Sequence, residues 1–225
     1  MKLLAIDCAA SLCAACVYDA AAGSELGRQV LDLGKGHAEH LMSVVDAALK
    51  ATGTGYPGLG AIAVSIGPGS FTGLRVGVSA ARGLALALKI PAIGVTTLEA
   101  LAAEAATMFP DRPVLAALDA GRDEIHAALY DKASVLTYGP AVTTLSQAAT
   151  MAVDMSAVLA GTAARQIAAS VGLAFDIGST AATADIAVYA RLAAIKGPGE
   201  KPKPLYLRGA DAKPQAGFIL PRQQP

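Results

Sequence analysis

The sequence predicts an α/β fold of two duplicated lobes facing each other across a cleft. Three observations predict it: an internal repeat, strand hairpins followed by helices in each half, and the break Pro110-Asp-Arg-Pro113 near the middle. In the repeat, Leu3 to Asp19 aligns without gaps on Leu115 to Asp131, an offset of 112 residues. Six positions are identical: Leu3/Leu115, Ala5/Ala117, Asp7/Asp119, Ala15/Ala127, Tyr18/Tyr130 and Asp19/Asp131. The shared aspartate at the strand end and the shared Tyr-Asp favour duplication over chance likeness between alanine-rich strands. The 225 residues suffice for two lobes of roughly 100 each.

The elements follow in order. Apolar runs predict strands at Lys2–Asp7, Cys13–Tyr18 and Arg28–Leu33. Leu41, Val44, Val45, Ala48 and Leu49 have helical spacing and predict a helix over Glu39–Ala51. Thr52–Gly60 is a Gly/Pro-rich connection. Ala61–Ile66 reads as a buried strand. A long helix over Thr72–Leu88 ends before Pro91, and strand Ala92–Val95 and helix Leu98–Met108 complete a lobe spanning 1–109. The second lobe, 110–208, reads as strands Val114–Leu118, Glu124–Tyr130 and Val135–Tyr138, helix Leu145–Val153, strand Ala157–Ala160, and helices Thr162–Val171 and Ile186–Lys196. Gly197–Pro204 is a stiff linker, and 209–225 is expected to be a flexible tail.

Lys+Arg and Asp+Glu are both 18, so the formal net charge is zero. A chain that grips an RNA backbone alone normally carries a basic surplus, so strong stand-alone RNA binding is not expected. The apolar start is cut short by Asp7, and the uncharged run Ala133–Val153 holds too many Ser, Thr, Gln, Gly and Pro for lipid. No membrane association and a cytoplasmic location are expected. Cys8, Cys13 and Cys16 have one iron–sulfur spacing but lack its fourth cysteine. Cys13 and Cys16 also lie three apart on a strand, where they point to opposite faces. Structural thiols are the expectation.

The most specific segment is Gly67-Pro-Gly-Ser-Phe-Thr-Gly-Leu-Arg-Val-Gly77. A strand, a glycine-rich turn and a helix start can cradle phosphate. However, Gly67, Gly69 and Gly73 miss the dinucleotide spacing by one residue, and no Gly-Lys-Ser/Thr follows. Gly69, Gly73, Gly77, Ala81 and Ala85 recur every four residues. Each interior helical glycine costs roughly 1 kcal/mol against alanine, so the stripe must admit a close neighbour. That neighbour is an element of the same lobe or the matching helix of another subunit. His37 and His40 are one residue too close for a shared zinc helix motif, so no metal is expected. Asp7 and Asp119 are the candidate cofactor-binding acids of a kinase-like cleft. Their loops are poor in the glycine and hydroxyl groups that wrap phosphates, and no catalytic set is found.

On these residues the chain resembles the TsaB family, formerly called YeaZ. The likeness extends to Leu4-Ala-Ile-Asp7, His37-Ala-Glu-His-Leu41, Ile93-Gly-Val-Thr-Thr-Leu98, Leu115-Ala-Ala-Leu-Asp-Ala120 and Pro204-Leu-Tyr-Leu-Arg208. The resemblance implies an actin-like ATPase (ASKHA, ribonuclease H-like) fold. It also implies a non-catalytic scaffold that pairs with the catalytic subunit TsaD and is joined by the small ATPase TsaE. That complex forms threonylcarbamoyladenosine in tRNA, which this subunit meets only through the complex. ATP or ADP is admitted at the partner interface, with no cofactor of the chain's own, and a homodimer is expected when the chain is alone. Carried over by position, the partner surface would comprise His37, Leu41, Val44, Val45, Ala48, Phe71, Thr72, Gly73, Arg75, Val76, Gly77, Ala80 and Ala81. The competing reading is an independent enzyme of the same fold, a small-molecule kinase or a metallopeptidase.

Overall fold

Each sheet is seeded by a hairpin. In the computed structural model, which describes residues 1–208, β1 (Lys2–Asp7) pairs antiparallel with β2 (Leu12–Asp19), and β2 with β3 (Ser24–Asp32). The chain then crosses through α1 (His37–Ala51) and a 3₁₀ turn at Tyr56–Gly58 to β4 (Leu59–Ser65), parallel to β1. A second crossover, α2 (Phe71–Leu88), leads to β5 (Ala92–Val95), parallel to β4, and α3 (Thr97–Met108) follows. The pattern then repeats. β6 (Val114–Asp119), β7 (Glu124–Tyr130) and β8 (Leu136–Thr144) form the hairpins, and α4 (Leu145–Asp154) leads to β9 (Val158–Ala160), parallel to β6. After α5 (Ala164–Val171) the counterpart of β5 shrinks to one parallel bridge, Leu159 with Ile177, and α6 (Ile186–Lys196) ends the copy. The sheet orders, β3-β2-β1-β4-β5 and β8-β7-β6-β9, mirror each other. The expected duplication is therefore present. The expected tail at 209–225 lies outside the described residues.

Alternation along each strand sorts side chains to two faces and builds five layers. Leu4, Ile6, Cys13 and Val17 face outward in the first sheet and pack with Leu41, Val45 and Val78 of α1 and α2. Leu115, Ala117 and Ile125 do the same in the second sheet, against Ala148 and Ile167 of α4 and α5. Between the sheets lies one shared core, filled by Leu98 and Leu101 of α3 and by Ile186, Tyr189 and Ala190 of α6. These two helices are exchanged: α3 packs on β6, and α6 packs on β1 and β2. A split at residue 110 thus describes the sheets, but not the helices between them.

Two strands differ most from the sequence reading. β3 begins at Ser24 rather than Arg28, and β8 continues through Gly139-Pro140 to Thr144. Both are edge strands, where a missing N–H or an irregular register is tolerated.

The gapless repeat also needs correction. Leu3 lies opposite Tyr18, but Leu115 lies opposite Leu129, not Tyr130. The second hairpin is therefore slipped by one residue, which exchanges faces on β6 relative to β1. Leu3 faces the shared core, whereas Leu115 faces outward. Asp7 and Asp119 both end their strands but do not occupy equivalent positions.

Candidate functional site

The turn after β4 sets the first lobe against the cleft. Ser70 caps α2, its Oγ accepting from the Gly73 amide at 3.2 Å. The Ser70 amide donates to the Ala9 carbonyl at 2.7 Å. A Cβ at Gly69 would collide with the Ala9 carbonyl oxygen, and one at Gly73 with that of Cys8. The glycines therefore let the β1–β2 turn close directly over the helix start. The close contacts at these glycines are therefore made by the chain's own backbone. A Cβ added at Gly77 would meet Cys8 and Val64 at 3.6 to 3.8 Å, ordinary contact distance, and Ala81 and Ala85 are buried. Of the two neighbours the sequence left open, the structure selects the chain's own lobe.

Of the thirteen residues expected on a partner surface, His37, Leu41, Val44, Val45, Ala48, Gly73, Gly77 and Ala81 are buried inside the chain. Their side chains fill the lobe, so this part of the expectation is corrected. Phe71, Thr72 and Arg75 are exposed, and Val76 and Ala80 are half-buried. The outward face of α2 adds residues that the sequence reading missed: Ser79, Arg82, Gly83, Ala87 and Leu86, which is 81% exposed. At 100° per residue Gly83 lies roughly opposite the buried face. A Cβ there would meet nothing within 4 Å among the described residues. By length and composition α2 could cross a membrane, yet its buried third seats it on β4.

The second feature is the interlobe cleft, about 770 Å³ in volume. Ala9, Gly69 and Phe71 contribute from the first lobe, and Asp119, His126 and Thr162 from the second. Asp119 is exposed, and its Oδ1 accepts from the Gly121 amide at 2.7 Å. Asp7 is only 2% exposed and does not line the cleft. Among the described residues the opening thus holds one acid, not two. A strap formed by the last described residues roofs it. The Leu205 amide donates to the Ile66 carbonyl at 2.7 Å, Tyr206 stacks on Phe71, and Arg208 pairs with Glu124 in the other lobe.

Burial raises the Asp7 carboxyl above its ordinary value of 3.8, opposed by hydrogen bonds from Ser65, the Ala9 amide and Thr183. Between the ordinary and the raised value the folded chain holds more protons than the unfolded chain, so this group's contribution to stability falls as pH rises. Asp7→Asn is expected to remove that slope. Melting curves of both proteins across the acidic range check it, and parallel pH profiles would contradict it.

The remaining candidates are the histidines and the cysteines. His37 is buried with Nε2 3.2 Å from the Leu12 carbonyl, and His40 is exposed. Cys13 and Cys16 do face opposite cores. A hydrogen bond with Cys13 and burial push the Cys8 thiol up, and burial pushes Cys16 up. Among the described residues no group of three or more His, Cys, Asp or Glu could hold a metal ion.

Comparison with known proteins fits this architecture. A family model described as TsaD: tRNA N6-adenosine threonylcarbamoyltransferase matches residues 32–197. The tRNA threonylcarbamoyladenosine biosynthesis protein TsaB of Escherichia coli is 36% identical over 132 residues, 59% of this chain and 56% of that protein. An uncharacterized protein of Mycobacterium tuberculosis is 34% identical over 85% of this chain and 84% of its own length. The solved structure of YeaZ from Pseudomonas aeruginosa superposes with a TM-score of 0.76 at 27% identity, covering 92% of this chain and 99% of that one. The chain belongs to the TsaB/YeaZ family. A tRNA N6-adenosine threonylcarbamoyltransferase of Anaeromyxobacter dehalogenans is 40% identical over 129 residues, but these cover only 38% of that enzyme. The TsaB/YeaZ fold is the two-lobed actin-like one: an inorganic polyphosphate/ATP-glucomannokinase shares it at a TM-score of 0.51 and 13% identity.

Proposed function

We propose that the chain is the non-catalytic subunit of a complex that forms threonylcarbamoyladenosine in tRNA, and that it pairs with a TsaD-type transferase through the outward face of α2 and the adjoining α1. One observation carries this reading. α2 has a mean hydropathy of 1.2 despite two arginines, yet only a third of it is buried, and Gly83 and Leu86 lie open on the far side. Exposed apolar surface of this kind marks an interaction site. Its sequence likeness to the transferases suggests that the same two helices of each chain meet, a pseudo-symmetric form of an isologous interface. Alone, the chain would cover the face with a second copy. A TsaE-type ATPase, and ATP or ADP, would join at the partner interface.

The reading as a scaffold rests on the cleft. The Gly73 and Leu74 amides at the start of α2 are taken by Ser70, and among the described residues Asp119 is the only acid lining the cleft. Co-expression with the transferase subunit of the same organism is expected to give a stable heterodimer. Threonylcarbamoyladenosine formation by that transferase is expected only when this chain is present. Equal modification without it would overturn the reading, and tight ATP·Mg binding by the isolated chain would favour a kinase instead.

A further inference from the structure

Arg75 is held more tightly than an exposed arginine needs to be. Its guanidinium carbon lies 3.7 Å from the centroid of the Phe71 ring one turn earlier on α2. Tyr206, 131 residues away in sequence, closes the other side: its hydroxyl accepts from Arg75 Nε at 2.9 Å, and its ring centroid is 5.9 Å from the guanidinium. The two rings sit 5.1 Å apart, tilted by 38°. Tyr206 is itself fixed on the strap, between the Leu205–Ile66 hydrogen bond and the anchorage of Arg208 on Glu124 and the Gly121 carbonyl. Two elements, α2 and the strap, thus converge to freeze one flexible cation, a restriction that normally costs side-chain entropy.

The restraint uses Nε and the flat face. The two terminal nitrogens, which form the fork that matches a carboxylate, have no carboxylate or carbonyl partner among the described residues. Arg82 lies two turns further along the same exposed face, and α2 contains no acidic residue. The face is therefore cationic and apolar in a chain whose formal net charge is zero. An RNA backbone would call for a track of cations, whereas here two guanidiniums stand among Val76, Ala80 and Leu86. That surface complements a protein carrying acids within an apolar patch.

We infer that Phe71, Arg75 and Tyr206 form a preset guanidinium clamp that seats a carboxylate of the partner subunit, which makes the C-terminal strap part of the docking surface. This rests on the pairing proposed above and names the chemistry that recognises the partner. A preset fork gives both hydrogen bonds without first having to be ordered.

The test titrates the full chain with the transferase subunit at low and high salt. Arg75→Ala is expected to weaken binding about tenfold or more and to flatten its salt dependence. Arg75→Lys keeps the charge without the fork and should recover only part of the loss. Tyr206→Phe keeps the ring but releases Nε, and should weaken binding several-fold with an unchanged melting temperature. Wild-type affinity and salt dependence in Arg75→Ala would overturn the clamp. So would intact subunit affinity combined with weaker tRNA binding by the assembled complex, which would make Arg75 an RNA contact. If Arg75→Ala is harmless while a bulky residue at Gly83 still breaks the complex, the pairing stands and the clamp falls. If the wild-type chain does not bind the transferase at all, both fall.

Discussion

Gly73→Ala is expected to destabilise the chain by about 3 kcal/mol or more, the upper part of the range for overpacked sites. The added methyl would run into the Cys8 carbonyl oxygen, which is backbone at the end of a buried strand and cannot rotate aside. Either α2 or the β1–β2 turn has to move, and the Ser70–Ala9 hydrogen bond ties them together. For a chain of this size the loss corresponds to a fall in melting temperature of roughly 6–12 °C. Gly77→Ala, one turn further on, is the matched control. Its methyl would sit at ordinary contact distance, so the gain in helix propensity should make it neutral or stabilising by up to about 1 kcal/mol. Equal melting temperatures for wild type and Gly73→Ala would show that the turn is looser than the packing implies.

Gly83→Trp is expected to abolish pairing with the transferase while leaving the chain folded. The position is central on the outward face, and a Cβ there would meet nothing within 4 Å among the described residues. A glycine there costs the isolated helix roughly 1 kcal/mol, and no neighbour in this lobe accounts for it. A second backbone passing close to α2 would. A large side chain would hold that backbone away, and an affinity loss of at least about 100-fold, or roughly 2.7 kcal/mol, is expected. Gly83→Ala should raise the melting temperature of the chain alone by a few degrees. Undiminished co-purification of Gly83→Trp with the transferase would remove α2 from the interface.

The two glycines mark the limit of what the sequence discloses. A four-residue stripe of small side chains says that something comes near, but not from which side. Gly73 and Gly77 look the same in the sequence as glycines on an outer face, and only the position of Cys8 separates them. Gly83 falls outside the four-residue spacing and so attracted no notice, although it is the glycine without an internal reason. The sheets were far more legible. Apolar runs bounded by turn residues placed β1, β5, β7 and α6 to the residue, because burial on both faces leaves little freedom in composition. The hairpin slip was hidden because alanine fills both faces of β6 and β7, so a gapless alignment and a shifted one fit equally well. The Arg75–Tyr206 contact spans 131 residues, and no local pattern announces it.

The exchange of α3 and α6 has a consequence for how the protein is made. The inner face of the first sheet is covered by Ile186, Tyr189 and Ala190, which are among the last core residues to be synthesised. The N-terminal half therefore cannot mature on the ribosome as a finished unit, as the leading domain of a multidomain chain commonly does. It must wait with that apolar face uncovered until α6 has been translated. A chain that stops before α6 leaves the inner face of its first sheet without the helix that covers it.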